Sequence, residues 1–235
     1  MSRILLEVAV ESFEDALAAT EAGADRLELG SQLHLGGLTP PVELFARVRA
    51  TVSIPIVVMI RPRAGGFCYT EEELKGMAGQ IEAFQPWRPD GFVFGAREGD
   101  GSIDRPAWAR LRASCGAVPA VFHRAWDEAA RTRADLEALV ALGFARLLTS
   151  GGADTALAGS STIRHLMGDA GGRIEILPGA GIVPGNVLEV VRRTGCTQVH
   201  GTFKKSKPTD SARTPVDGEA VRATRRALDQ LTSAF

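Results

Sequence analysis

The sequence predicts a (β/α)8 TIM barrel, formed as a single α/β domain over residues 1–235. Eight short apolar segments alternate strictly with eight helix-like segments along the chain. Such alternation indicates parallel strands joined by right-handed crossovers, and eight units in roughly 250 residues are typical of a closed barrel. A doubly wound open sheet is the competing fold. It is disfavoured because no G-x-G-x-x-G pattern follows the first apolar segment.

The eight predicted strands are short and mostly apolar, as expected where barrel core covers one face of a strand and helices cover the other. The third strand is interrupted only by Pro55 and ends abruptly before Arg61. In chain order the predicted strands cover residues 4–10, 26–29, 54–60, 91–94, 118–122, 146–148, 174–177 and 198–200.

The predicted helices carry recognisable start and stop signals. The first predicted helix begins at Ser12, and Gly23 follows that helix at the usual glycine position. Thr70 and Glu73 have the spacing of a capping box, and Asp104 is placed to cap a later helix. The predicted helices cover about residues 12–22, 39–50, 70–84, 104–114, 133–142, 161–167, 184–193 and 216–231.

The composition excludes several classes of protein. A formal net charge of −1 argues against a chain built to coat nucleic acid or an anionic membrane. Three widely spaced cysteines fit a reducing compartment better than a disulfide framework. Glu7 interrupts the first apolar run, so no signal peptide is expected, and no run approaches the ~20 residues of a membrane helix. We therefore expect a cytoplasmic protein without nucleic-acid or membrane partners.

The candidate functional residues are polar side chains at the carboxyl ends of the strands, where TIM barrels carry their active sites. Strands one and two offer Glu7 and Glu28, strand five is followed by His123, and strand eight ends in His200. Side chains alternate across a strand. An inward Glu28 therefore turns Arg26 inward as well, near the bottom of the barrel, where Arg26 needs a partner or solvent.

These residue types point to two kinds of chemistry. Carboxylates and imidazoles can move protons near neutral pH, and the candidate catalytic residues are Glu7, Glu28, His123, Asp127 and His200. Guanidinium groups and exposed N–H groups of Gly-rich loops bind anions. The candidate anion-binding residues are Arg61, Arg63, Arg124, Thr149, Ser150, Gly151, Gly179 and Gly181. His123 and His200 are also candidate ligands of a divalent metal, together with a glutamate.

The strand-end residues are compatible with two functions, an enzyme and a non-catalytic scaffold. It predicts binding, or acid–base turnover, of a small phosphorylated or carboxylate metabolite. Alternatively, Glu7 and Glu28 pair with Arg61 and Arg63 as a polar plug that closes a non-catalytic barrel, since buried charges need such pairing.

Eight segments, in order along nearly the whole chain, resemble motifs of the CutC family. They are LLEVAV, GADRLELG, GGLTP, IRPRAGGFCYTEEE, FHRAWD, LTSGG, PGAGI and VHGT. The resemblance implies a TIM barrel, a cytoplasmic location, a homodimer and a role in copper homeostasis with copper-ion binding. The positions that fall on family motifs are Glu7, Glu28, Arg61, Arg63, His123, Arg124, Asp127, Thr149, Ser150 and His200.

The sequence departs from the family where copper ligands are concerned. Many relatives carry cysteine at two strand-end positions that are Ala9 and Gly30 here. Cu(I) prefers soft thiolate or thioether ligands. Cys68 is expected at the top of the barrel, whereas Cys115 and Cys196 are expected at the bottom on opposite sides. Copper is thus the cofactor that the resemblance implies, but the thiols are not expected to converge on it.

Overall fold

Eight strands and nine α-helices alternate along the residues that the computed structural model describes, which are 3–129, 132–205 and 214–233. The strands are β1 Leu5–Val10, β2 Arg26–Leu29, β3 Ile56–Met59, β4 Gly91–Phe94, β5 Ala120–Phe122, β6 Arg146–Thr149, β7 Glu175–Pro178 and β8 Gln198–Gly201. The helices are α1 Phe13–Glu21, α2 Val42–Arg49, α3 Glu71–Phe84, α4 Arg105–Ser114, α5 Ala125–Glu128, α6 Arg133–Ala141, α7 Ser160–Ala170, α8 Val187–Thr194 and α9 Gly218–Ser233.

The strands form one parallel sheet that wraps into a barrel. From β1 to β7 each strand pairs with the next strand along the chain, and β8 returns to pair with β1. At the remaining position β7 and β8 lie side by side. This topology confirms the predicted (β/α)8 TIM barrel. No described helix combines the length and the apolar character needed to cross a membrane.

The register of β8, β1 and β2 determines which polar side chains share a layer of the barrel. Glu7 lies opposite His200 on one side and opposite Arg26 on the other. Residues paired in this way on adjacent strands point to the same face of the sheet. One carboxylate is therefore flanked by an imidazole and a guanidinium inside the barrel.

A small apolar cluster lies inside the barrel on the opposite strands. Its members are Val57, Met59, Val93 and Val121. The neighbours of these residues along the same strands, such as Val58 and Phe122, belong instead to the larger core between sheet and helices. The side chains of β3 and β5 therefore alternate between the barrel interior and the layer of helices.

Side chains cap the first turns of several helices. The Ser12 hydroxyl accepts from the Asp15 N–H at 3.1 Å, and the Asp104 carboxylate accepts from the Ala107 N–H at 2.8 Å. Thr70 and Glu73 form the complete capping box at the start of α3. Each cap satisfies N–H groups that have no partner within the helix.

Several boundaries differ from those predicted. The third strand begins at Ile56, because Pro55 before it has no N–H to donate to a neighbouring strand. Helix α8 begins at Val187 instead of residue 184. The Asn186 side chain there accepts from the Val183 N–H and donates to the Gly181 carbonyl, which keeps the preceding segment in a turn. The four-residue helix α5 was not predicted.

Gly159, which precedes α7, and Gly168 within α7 give a matched test of the packing around β6. A Cβ on Gly159 would lie 1.9 Å from the Ser150 carbonyl oxygen, whereas a Cβ on Gly168 would meet no described atom within 4 Å. We expect Gly159→Ala to lower the free energy of unfolding by about 3 kcal/mol or more, since backbone must move. Gly168→Ala should raise it by up to ~1 kcal/mol through helix propensity. Urea unfolding of both variants measures the difference, and similar effects would contradict the packing described.

Candidate active site

A cavity of about 520 Å³ opens at the carboxyl ends of the strands. Side chains at the ends of four strands contribute to its wall, namely Glu28, Met59, His123 and His200. The rim comes from the loops that follow β7 and β8. Three of the four predicted glutamate and histidine candidates therefore line one cavity, namely Glu28, His123 and His200.

Glu7 is the buried anchor below this cavity. Its Oε1 accepts from His200 Nδ1 at 2.8 Å, and its Oε2 accepts from Arg26 Nε. Only 1% of the residue is exposed. Burial alone would raise the pKa of Glu7, but the charge of Arg26 and the bonds from His200 outweigh it and hold the pKa well below its usual range. Glu7 is thus an ionised carboxylate that orients His200.

Arg26 has the partner that an inward position demands. Besides Glu7, it donates through Nη2 to Gln198 Oε1 at 2.8 Å. Gln198 in turn donates through Nε2 to Glu175 Oε2 at 3.1 Å. This network forms a polar floor across β2, β8 and β7, in which Glu7 pairs with Arg26 and not with Arg61 or Arg63 as the polar-plug alternative predicts.

Glu28 has no cation bound directly to it. Its Oε1 lies 4.0 Å from His200 Nε2, and its Oε2 is buried without a hydrogen-bond partner among the described residues. Burial raises the pKa of Glu28 to about 7, against the opposing charge of His200. Burial would lower the pKa of His200, but the Glu28 and Glu7 carboxylates outweigh it and raise that pKa. The pKa values of both Glu28 and His200 therefore lie above their usual values.

His123 has the opposite electrostatic character. Its Nδ1 accepts from the Ala125 N–H at 3.2 Å, and its Nε2 is buried without a partner in the described part of the chain. The ring packs on Phe67 with centroids 4.6 Å apart. Burial and the charge of Arg61 lower the pKa of His123 to about 3. The imidazole is therefore neutral at physiological pH.

Arg61 and Arg63 lie outside the cavity wall, which does not favour the predicted anion-anchoring role. Arg61 donates to the carbonyls of Leu35 at 3.1 Å and Gly65 at 2.6 Å, and so ties the loop after β2 to the loop after β3. Arg63 pairs with Glu73 of the capping box. Both guanidinium groups hold loops together, because backbone carbonyls and a carboxylate take up their donors.

Asp127 and the loop after β6 form a closed unit. The Asp127 carboxylate accepts from the Ser150 N–H at 2.8 Å, the Gly152 N–H at 3.1 Å and the Thr149 hydroxyl at 2.5 Å. The Gly151 N–H donates to the Thr149 hydroxyl. The N–H groups predicted to bind an anion are therefore engaged within the protein. Neither Asp127 nor this loop lines the cavity, so an acid–base role for Asp127 is not favoured.

Arg124 is the arginine that faces the cavity among the described residues. Its Nε donates to Asp127 at 3.0 Å and its Nη2 to the Ser150 hydroxyl at 3.2 Å, and 45% of its side chain is exposed. Gly181 also lines the cavity. A Cβ on Gly179 would lie 2.6 Å from the Leu148 side chain and 3.3 Å from that of His200, so Gly179 provides space for packing.

Comparison with known proteins agrees with the motifs. The sequence model of the CutC family matches residues 4–205. The chain belongs to the CutC family. A CutC family protein of Xylella fastidiosa is 45% identical over 199 residues, covering 85% of this chain and 74% of the relative. The human copper homeostasis protein cutC homolog is 41% identical over 203 residues, covering 86% and 74%. The crystal structure of CutC from Streptococcus agalactiae has a TM-score of 0.79 at 32% identity, covering 85% and 98%.

The donor set of this CutC chain does not fit a tight Cu(I) site. Among the described residues, Met59 contributes the one sulfur atom of the cavity wall. Cys68 is exposed, while Cys115 and Cys196 are buried away from the cavity. Burial raises the pKa of Cys115 to about 12, which disfavours the thiolate that a soft metal binds. One thioether without a thiolate is a weak ligand set for Cu(I).

A harder metal would compete with the hydrogen bonds already present. Donor atoms of Glu7, Glu28 and His200 lie within 4.8 Å of one another, and His123 is not part of this group. Both carboxylate oxygens of Glu7 are bound, one by His200 and one by Arg26. A metal bound by Glu7, Glu28 and His200 would therefore have to displace one of these bonds.

The pKa of Glu28 leads to a prediction about stability. A group whose pKa rises on folding stabilises the folded state below its unfolded value, here 4.5, and this contribution is lost as pH rises through the folded value of about 7. The raised pKa of His200 has the same sign. We therefore expect wild type to lose stability relative to Glu28→Gln between pH 5 and 8, by at most about 3 kcal/mol.

Unfolding of both proteins by urea at several pH values measures this difference. Glu21→Gln, which removes an exposed carboxylate on α1, controls for the change in net charge. A constant difference between wild type and Glu28→Gln across this pH range would contradict the buried, proton-binding state of Glu28.

Proposed function

We propose that this CutC chain is an enzyme that moves protons on a small molecule held in the cavity, with Glu28 and His200 as the acid–base pair. The observation that carries the proposal is the buried Glu28 carboxyl beside His200, with a pKa of about 7, in the wall of a 520 Å³ cavity. General acid–base catalysis is most efficient when the pKa of the catalytic group lies near the working pH.

Glu7 supports this pair as a positioning residue. Its bond to His200 Nδ1 sets the orientation of the ring and directs Nε2 towards Glu28. Because Arg26 keeps Glu7 ionised, Glu7 does not compete for the proton that Glu28 and His200 share. A purely structural plug would pair every buried charge, whereas Glu28 Oε2 has no partner within the described residues. This difference favours an enzyme over the scaffold alternative.

Arg124 supports an anionic group on the substrate. Its half-exposed guanidinium stands at the cavity wall and is held by Asp127 and Ser150. Lys204 also lines the cavity, but its Nζ pairs with Glu11 at 2.9 Å. A phosphate or carboxylate at the rim would thus meet Arg124 first. We retain the homodimer and the cytoplasmic location as predictions from the family resemblance.

Copper remains linked to this chain through the family name, since the human relative is called a copper homeostasis protein. The donors that the described residues place in the cavity wall favour the proposed proton chemistry over copper, because they are one thioether, two imidazoles and the Glu28 carboxylate. The proposal therefore includes no copper-dependent step.

The first test is turnover in deuterated water. Wild type is incubated with a panel of small carbonyl compounds, hydroxy acids and phosphate esters, and proton NMR detects conversion or deuterium incorporation. Glu28→Gln should lower the rate for any converted compound by about 10²–10⁴-fold, the usual contribution of a general acid–base group. Glu21→Gln should leave it unchanged. Conversion that is equally fast in Glu28→Gln would contradict the proposal, as would a panel without any conversion.

The second test concerns the anionic group. Arg124→Gln should weaken the thermal stabilisation by inorganic phosphate and oxalate about tenfold or more in concentration, because a charge-assisted hydrogen bond contributes about 1.5–3 kcal/mol. Arg63→Gln is a matched control, since Arg63 is also half-exposed and paired with one carboxylate but lies outside the cavity wall. Equal stabilisation of wild type and Arg124→Gln would exclude Arg124 as the anchor.

A further inference from the structure

His123 is held in one tautomer by the protein backbone. Its Nδ1 accepts the Ala125 N–H at 3.2 Å. In a neutral imidazole, the nitrogen that accepts a hydrogen bond carries no proton, so the proton is on Nε2. Because Nδ1 is turned to the backbone, Nε2–H is the polar group of the ring that has no partner among the described residues, and His123 lines the cavity.

The ring has little freedom to move. A Cβ on Gly95, at the end of β4, would lie 2.8 Å from His123 Nδ1 and 2.9 Å from its Cε1. Phe67 covers the ring with centroids 4.6 Å apart, and the Arg61 guanidinium lies over the Phe67 ring at 4.7 Å. Gly95, which follows β4, and Phe67 in the loop after β3 therefore hold the imidazole in a single orientation.

The Nε2–H group is a donor without an acceptor. It is buried, the whole residue is only 3% exposed, and no described atom accepts from it. An unpaired buried donor costs about 1–3 kcal/mol. A ligand oxygen placed at Nε2 would remove that cost, and the acid–base functions of Glu28 and His200 leave this donor unused.

The neutral state of His123 determines which kind of ligand oxygen its Nε2–H group stabilises best. Burial and the neighbouring Arg61 keep the ring neutral, with a pKa of about 3. A neutral N–H donor stabilises an oxygen that gains negative charge during the reaction without first transferring its proton to that oxygen. A bound phosphate or carboxylate, which already carries its full charge, would gain more from a cation. The oxygen that matches His123 is therefore a carbonyl oxygen.

We infer that His123 Nε2–H is a catalytic hydrogen-bond donor to a substrate carbonyl, and that the substrates are carbonyl compounds with an acidic C–H next to the carbonyl. The inference rests on the proposed function, because Glu28 supplies the base. In the step, the C–H bond breaks and its proton moves to the Glu28 carboxylate. The C–H electrons form a carbon–carbon double bond, and the carbonyl π electrons move to the oxygen facing His123. When Glu28 returns a proton to the same carbon, the electrons on oxygen re-form the carbonyl and the exchange is complete.

The tautomer can be tested without a ligand. In protein labelled with ¹⁵N-histidine, the two ring nitrogens of His123, assigned by comparison with His123→Gln, should report a neutral ring protonated on Nε2 from pH 5 to 8. His165→Gln, which changes an exposed histidine on α7, is the matched assignment control. A ring protonated on Nδ1, or one that becomes an imidazolium within this range, would overturn the inference.

The substrate class is tested with matched pairs of probes in deuterated water. Pyruvate and dihydroxyacetone phosphate carry a carbonyl, whereas lactate and glycerol phosphate are the corresponding alcohols. We expect deuterium incorporation next to the carbonyl of at least one carbonyl probe and in neither alcohol. His123→Ala should lower the exchange rate about 10²–10³-fold, as expected for loss of one oxyanion donor. His123→Gln, which retains an N–H donor, should restore part of the rate.

The outcomes separate this inference from the proposed function. Exchange that requires Glu28 but is unaffected in His123→Ala would overturn the inference and leave the acid–base function standing, as would conversion confined to compounds without a carbonyl. Exchange of neither carbonyl probe above the protein-free rate also overturns the inference. Exchange that is independent of Glu28 overturns both.

Discussion

The buried carboxylate of Glu7 needs positively charged partners, and this constraint determines how the polar side chains beneath the cavity are arranged. Glu7 is almost fully enclosed, and an unpaired charge in such a place is strongly destabilising. The parallel register brings Arg26 and His200 to either side of it, so three adjacent strands contribute to one charge-balanced layer. Arg26 bonds directly to Glu7 and not to Glu28, and burial raises the pKa of Glu28. The layer of side chains that neutralises Glu7 therefore also positions the proposed acid–base pair.

Several polar residues of the family motifs support the cavity from outside. Arg61 fastens two loops through their carbonyls, and Asp127 fills the turn after β6 with its carboxylate. Both would qualify as ligand-binding residues by type and position. Their hydrogen bonds instead hold the loops that border His123 and Arg124. Polar side chains near the mouth of the barrel therefore hold the loops around the cavity in place without lining the cavity themselves.

The sequence was sufficient for the fold, the caps and the layer of inward side chains, because those features depend on local periodicity and on strand alternation. It predicted that Arg26 would need a partner, and that partner is Glu7. The roles of Arg61 and Asp127 depend on carbonyls and N–H groups from loops distant in sequence, whose paths no periodicity encodes. The protonation states of His123 and His200 likewise depend on which charges lie nearby, and residue type alone does not reveal them.

The two histidines of the cavity show how environment assigns roles to identical side chains. His200 lies between Glu7 and Glu28, whose carboxylates favour its charged form. His123 faces Phe67 with Arg61 behind that ring, and both burial and the positive charge favour its neutral form. His200 is therefore favoured in its charged form, whereas His123 stays neutral. Titratable groups whose environments push their pKa values apart typically mark acid, base and donor in an active site. A plug built only for stability has no need of that separation.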